Sequence, residues 1–436
     1  MKLKRQYFDV KDVVWDSKLE YKDEVLYLNK EEILKKIRPL MKNVTNVDLE
    51  IVKPGEDARI IHVLDTIQPM VKIEGSGKQY SGFFSHPKTI GEGITNVLRG
   101  FSIMESAPLP WDDGSASSGL LYPRDAIIDM TGPIKGFTPF SETINLVITY
   151  ELVDGKSSEE YDNDIRLCGL KISEILAKLT VKNTPNEEET FSIDEINPDL
   201  PNVVLVWQCQ NQGVYSNTYL YGHSIDNLVP TLLHPNEMLD GCIVSGNYVW
   251  PAFKVPTYLH VNHPILLELY KQHGKTINFK GVIFSRSHNP TNWHKERSAN
   301  FCVKISKYLD ADGLIMAWEG GGNAAVDGML TIQQAENIGI KTSTITFEFG
   351  GKDGTEGVLL VDDVAEADAV ISGGSIEKTY ELPNVKRVIG GKYLRLNKES
   401  GGYFPPSNKS ITFDTTTQFY CSGNQSGHSK LFGESY

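Results

Sequence analysis

Residues 203–213 read VVLVWQCQNQG: five apolar residues without alternation, then amides crowded behind them. A strand that meets water on one face alternates apolar and polar side chains. An unbroken apolar run closed by polar residues therefore marks a strand buried on both faces. Comparable runs follow at CIVSG (242–246), GVIFS (281–285), GLIMAWE (313–319), TSTITFEF (342–349) and ADAVISGG (367–374), with helical stretches between them. This alternation predicts an α/β domain over 202–395, built on a mostly parallel sheet with helices on both faces.

Upstream the pattern is different. Short strand-like runs (EVLYLN, VDLEIV, ARIIHVLD, MVKIEG, NLVITYEL) alternate with turns rich in Gly, Pro, Asp and Asn, which predicts a β-rich N-terminal domain over 1–180. KEEILKKIRPL is its early helix, and 105–123 read as a long surface loop. The domain closes with an amphipathic helix: behind the acidic turn EEYDND, residues Ile165, Cys168, Ile172, Ile175 and Leu179 fall on one face. A polar, proline-bearing linker is expected over 181–201 and an irregular C-terminal tail over 396–436.

Composition narrows the function classes. The 436 residues include 56 acidic and 43 basic side chains, a formal charge of -13. With no long Lys/Arg cluster, nucleic acid is not an expected partner. No apolar run is long enough to cross a bilayer, and MKLKRQYFDVKDVVW lacks the apolar stretch of a secretory signal, so a cytoplasmic address is expected. The five cysteines (Cys168, Cys209, Cys242, Cys302, Cys421) form no CxxC pair or zinc spacing and read as reduced thiols.

In open α/β sheets ligands gather beyond the carboxyl ends of the strands, so residues just after the apolar runs are the first candidates. Gln208, Gln210, Asn211 and Gln212 offer uncharged polar groups there. After GLIMAWE, the turn Gly320, Gly321 and Gly322 opens a helix flanked by Glu319, Asn323 and Asp327, a possible anion cradle that lacks both the dinucleotide fingerprint and the P-loop lysine. His260 and His263 in PTYLHVNHP have no carboxylate close in sequence, and no metal site is expected. The stretch SGNYVWPAF (245–253) sets Tyr248 and Trp250 behind the tight turn of Ser245, Gly246 and Asn247, with His234, Glu237 and Asp240 just upstream. Gly-rich turns at GEGITN (91–96) and IIDMTGPIKGFTPFS (127–141), the second with Asp129, are read more readily as plain turns than as sites.

Taken in order, KPGEDARII (53–61), IGEGITNVLRG (90–100), IIDMTGP with TPFS, QNQGVYSNTYLYG (210–222), VPTLLHPNEMLDGCIVSGN (229–247), PTYLHVNHPILLELYKQHGKTINFKGVI (256–283), KERSA, YLDADGLI, EGGGN and IKTSTITFEFGGKDG resemble one family across nearly the whole chain. It is the proprotein subunit of component B of the glycine, sarcosine and betaine reductases. The resemblance implies a chain cut after the Asn of SGN, with the next residue, a cysteine, becoming a pyruvoyl group. That ketone would form a Schiff base with an amine substrate, and a hetero-oligomeric partner subunit carrying cysteine or selenocysteine would take the carboxymethyl group.

The sequence departs from this pattern at the reacting position, because Tyr248 follows Asn247. Cleavage begins when a β-heteroatom attacks the preceding carbonyl through a five-membered ring, and a phenol oxygen held across a rigid ring has no such path. No pyruvoyl is expected, and the chain is read as an unprocessed reductase subunit working with a Cys/Sec partner. Its substrate would be a small amine or quaternary ammonium compound in a pocket lined by Gln208, Gln210, Gln212, Tyr248, Trp250, Glu319, Gly321, Gly322, Asn323 and Asp327. Tyr248 and Trp250 would face a cation, or else fill core volume. The alternatives are a non-catalytic scaffold or regulatory paralogue, and an active pyruvoyl enzyme processed at Ser245, with Cys242 as the other side chain of suitable chemistry.

Overall fold

A computed structural model of the protein describes residues 1–109, 125–212, 215, 217–246, 253–351, 362–396 and 404–429. Asn247, Tyr248 and Trp250 lie outside the described residues, as do 110–124 of the loop expected over 105–123. Glu105 and Ser106 do not belong to that loop: they end the buried strand Phe101–Ser106.

The molecule is mixed α/β with several sheets. The largest has six strands, in the order Thr231–Leu233, Asn278–Arg286, Asn202–Cys209, Gly313–Trp318, Lys341–Glu348 and Val370–Ser375. All neighbours are parallel except the short first strand, which is antiparallel to Asn278–Arg286. The sequence VVLVW is apolar throughout because both faces are covered. Leu205, Trp207 and Cys209 enter one core with Phe253, Val255, Leu259 and Phe284. Val204 and Val206 enter another with Leu314, Met316, Trp318 and Met329.

Counting the five parallel strands in chain order, their order across the sheet is 2-1-3-4-5. The chain leaves Asn202–Cys209 towards one edge and returns to Gly313–Trp318 on its other side. The reversal falls at the carboxyl ends of these two strands, the place where such sheets hold ligands.

CIVSG does not join this sheet, contrary to its apolar appearance. Only Ile243–Val244 is extended, and it pairs antiparallel with Tyr219–Leu220 in a separate small sheet. Gly241 (φ +89°) and Gly246 (φ +127°) bracket the run and turn the chain at both ends.

Two further four-stranded sheets are built from residues 1–180, one of them joined by Glu187–Phe191 from the stretch 181–201. One is ordered Glu187–Phe191, Leu3–Asp9, Gly93–Arg99, Met70–Glu74, and the other Val44–Val52, Ile144–Leu152, Phe101–Ser106, Val63–Ile67. The helix Ser158–Ala177 packs Ile165, Cys168, Ile172 and Leu176 into the same core as Leu64, Ile67, Ile103 and Ile148. Its start is fixed by a reciprocal capping box between Ser157 and Glu160, and Leu179 falls just beyond its end in a 3-10 turn. KEEILKKIRPL forms the helix Lys30–Ile37, capped by Asn29, with Pro39 in the 3-10 turn behind it. Past residue 395, Ile411–Phe413 pairs with Tyr380–Leu382, and Phe419, Tyr420 and Cys421 are fully buried. All five cysteines are buried free thiols, and no helix among the described residues is long and apolar enough to cross a membrane.

Candidate functional site

The register Gln208↔Trp318 sets Cys209 and Glu319 side by side as the two central strands end. Glu319 continues the ladder, its N–H bonding the Gln208 carbonyl at 2.9 Å. Its carboxylate then ties two segments together: Oε2 accepts the Gln210 N–H at 2.9 Å and Oε1 the Val255 N–H at 2.7 Å. Glu319 is wholly buried, and that burial pushes its carboxyl up to about 7 against the pull of the Lys254 ammonium and the two N–H donors.

Lys254 is a buried cation close to Glu319. Its Nζ donates to the carbonyls of Tyr215 (2.7 Å) and Asn217 (3.1 Å). Burial first, then the Arg166 guanidinium, push this ammonium down to about 7, while Glu319 opposes the shift. From the short helix Thr257–Val261, His260 brings Nε2 to 3.8 Å from Glu319 Oε1, and its Nδ1 accepts from Trp207 Nε1 at 3.3 Å. Cys209 completes the group, its thiol pushed well up by burial and by Glu319. One ligand atom from each of Cys209, His260 and Glu319 lies within 4.8 Å of the others. The carboxylate absent from the sequence around His260 thus arrives from a different strand.

A second buried network holds the chain as it enters SGNYVW. The Ser245 N–H bonds Thr257 Oγ1 (2.9 Å), and the Ser245 hydroxyl shares a hydrogen with Thr218 Oγ1 (3.0 Å). Arg166 donates to the Ser245 carbonyl and, at 2.8 Å, to that of Asn217, while its guanidinium pairs with Asp162 and lies 3.8 Å from the centre of the Tyr215 ring. Beneath the turn, Asp65 accepts both the N–H (2.9 Å) and the hydroxyl (2.6 Å) of Thr257. Burial pushes the Asp65 carboxyl up to about 6, with Arg166 and Thr257 opposing. The turn ahead of Asn247 is therefore fixed by one arginine, two threonines and an aspartate.

The remaining sequence candidates are dispersed. Gln210 is buried beside Glu319, and Gln212 is buried further along the same loop. Gln208 faces the other side of the sheet, its Nε2 3.4 Å from Thr331 Oγ1 and its Oε1 without a partner among the described residues. Asp327 also lies on that side, held by Lys295 Nζ at 2.5 Å and by both nitrogens of Asn289. Gly321 and Gly322 are half-buried ahead of the helix Asn323–Glu336, and Asn323 is exposed at its start. Upstream, His234 and Glu237 cap the helix Pro235–Leu239, and Asp240 accepts from Lys72, from the Gly91 N–H and from the Thr95 hydroxyl. Asp129 forms a two-pronged, fully buried pair with Arg59.

Sequence reasoning passed over Lys254, Cys209, Asp65 and Arg166. Lys254 did leave a trace, a lone lysine between Phe253 and Val255 in an otherwise apolar run, since a charged side chain inside such a run is rarely buried without a partner.

The family model for glycine/sarcosine/betaine reductase component B subunits matches residues 1–434. A relative in Acetoanaerobium sticklandii named glycine reductase complex component B subunits alpha and beta is 38% identical, covering 87% of both chains. The sarcosine reductase complex component B subunit alpha of Peptoclostridium acidaminophilum is 34% identical over 100% of both chains. The betaine reductase complex component B subunit alpha of the same organism is 35% identical over 92% of this chain and 91% of its own. No solved structure matches.

Proposed function

The chain belongs to the family of glycine/sarcosine/betaine reductase component B subunits, and from that premise we propose that it is an uncut, pyruvoyl-free subunit of such a reductase. In this role it holds a small amine or quaternary ammonium substrate for reductive C–N cleavage by a partner subunit carrying a thiol or selenol.

The observation that carries the proposal is the tyrosine behind Ser245, Gly246 and Asn247. A pyruvoyl group made from the backbone requires a residue whose β-carbon bears a sulfur or oxygen, first to attack the preceding carbonyl and then to leave. Tyr248 has an aryl group on that carbon, so the residue does not fit the group, and no step is routed through it. Ser245 and Cys242 are poor substitutes on physical grounds. The N–H and hydroxyl of Ser245 are both committed to threonines. Cys242 is buried with its thiol pushed well up, and its backbone is bonded to Glu237 and Tyr221.

The absence of a ketone favours a substrate that needs no Schiff base. When a thiolate or selenolate bonds the carbon of a quaternary ammonium compound, the C–N bond breaks and the nitrogen leaves with the electron pair as a neutral tertiary amine. Neither a proton nor an imine is required. Tyr248 and Trp250 supply aromatic faces of the kind that bind such cations, close in sequence to Lys254.

Intact mass of the purified protein tests the proposal. One species at 48.6 kDa, unreactive to borohydride and hydroxylamine, is expected. Two fragments with a carbonyl-blocked new N-terminus would overturn it.

A further inference from the structure

We propose that Cys209, His260 and Glu319 bind a divalent transition-metal ion, zinc by their donor set, at the switch point of the six-stranded sheet. The inference is independent of the substrate assigned above.

Three observations converge on it. First, a thiol, an imidazole and a carboxylate are the donors zinc takes, and their ligand atoms lie within 4.8 Å of one another. Around a tetrahedral ion with bonds of about 2.0–2.3 Å, neighbouring donors stand roughly 3.3–3.8 Å apart. His260 Nε2 and Glu319 Oε1 are already at 3.8 Å. Second, His260 Nε2 is fully buried, faces this carboxylate and has no hydrogen-bond partner among the described residues. A buried polar atom left in that state costs free energy that a metal bond would recover. Third, the ligands are held from outside. The two Glu319 oxygens are oriented by the N–H groups of Gln210 and Val255, which still leave each oxygen a lone pair. Cys209 is fixed by the strand ladder, its carbonyl accepting the Ser287 N–H at 2.7 Å.

Charge balance agrees with the geometry. A thiolate and a carboxylate together in an apolar interior are strongly unfavourable, and one divalent cation offsets both, while the Lys254 ammonium near Glu319 is held by the carbonyls of Tyr215 and Asn217. Three protein ligands also leave a fourth position, as in sites where zinc keeps an exchangeable ligand. That position would lie at the carboxyl ends of these strands.

The test uses the full-length chain purified without chelator. Metal analysis should return about one zinc per chain. After stripping, titration with cobalt(II) should give tetrahedral visible bands and a near-ultraviolet thiolate-to-cobalt band, both saturating at one equivalent. Cys209→Ser should lose the thiolate band, and His260→Gln should weaken cobalt binding at least tenfold. Cys421→Ser, an equally buried thiol outside the cluster, should keep both signals. Near-ultraviolet circular dichroism of each variant reports whether it is folded. Substoichiometric zinc with no cobalt band in the folded wild-type chain would overturn the proposal, as would a thiolate band that survives in folded Cys209→Ser.

Discussion

Gly246 packs so closely on Asp65 that a Cβ added to the glycine would stand 2.7 Å from the Cβ of the aspartate, and the glycine backbone adopts φ +127°. Both facts disfavour any side chain at the middle position of Ser-Gly-Asn. Gly246→Ala should therefore cost about 2–4 kcal/mol, combining backbone strain with overpacking. The measurement is the urea midpoint, with Gly155→Ala as the control. Gly155 also has positive φ, but nothing lies within 4 Å of its added Cβ, so it should lose only about 1 kcal/mol.

Arg59 and Asp129 face each other through two hydrogen bonds of 2.6 and 2.8 Å, both side chains almost wholly buried. Removing one member strands a charge in the interior. Asp129→Ala should destabilise the protein by about 3–5 kcal/mol. The double variant Arg59→Met with Asp129→Leu should cost less than Asp129→Ala, although the arginine also bonds the carbonyls of Ser407 and Pro383. Chemical denaturation of the two variants gives the comparison, and equal losses would show that the pair itself is not what the interior depends on.

Such pairs explain why some parts of this molecule were legible in the sequence and others were not. The strand VVLVW could be read because burial on both faces writes itself into consecutive residues. CIVSG carries the same local signal, yet two flanking glycines limit it to a two-residue bridge in another sheet. The Asp129 and Asp240 turns could be read locally as sites or as plain turns, and only their partners Arg59 and Lys72, from distant strands, show them to be buried ion pairs. The same property of long-range pairing hid the opposite case: Cys209, His260 and Glu319 meet only because two parallel strands end together under a helix from a third segment. Local periodicity carries no information about that encounter.

Protonation of three histidines should weaken the fold over a definite range. Burial pushes His263 down to about 3, and His234 and His428 to about 4, from the usual 6.5. All three are neutral when folded and take up protons more readily when unfolded. Their contribution to stability is complete above about pH 6.5 and is lost as pH falls towards about 3–4, at up to about 1.4 kcal/mol per pH unit for the wholly buried His263 and less for the partly exposed His234 and His428. Glu319 and Asp65, raised to about 7 and about 6, oppose this loss over the same range, so the histidine share is read from thermal midpoints at pH 7.5, 6, 5 and 4.5 as the difference between the wild-type chain and a histidine variant. His428→Gln should flatten the decline, because it removes one of the titrating groups. An unchanged slope in that variant would mean His428 is already accessible to protons in the folded chain.

The last expectation concerns the link after Asn247. If Tyr248 alone prevents processing, then the turn ahead of it, with Gly246 packed on Asp65, the Ser245 carbonyl held by Arg166 and Thr257 braced on Asp65, should support a cut once a suitable nucleophile follows Asn247. Tyr248→Cys restores a sulfur on the β-carbon, within reach of the Asn247 carbonyl through a five-membered ring. Part of the purified variant should then appear as two chains joined in sequence at residues 247 and 248, and hydroxylamine should increase that fraction by trapping the thioester. Tyr248→Ser should cleave more slowly, oxygen being the weaker nucleophile, and Tyr248→Ala should not cleave at all. A Tyr248→Cys chain that stays whole even in hydroxylamine would mean that the surrounding turn has lost its competence along with the cysteine.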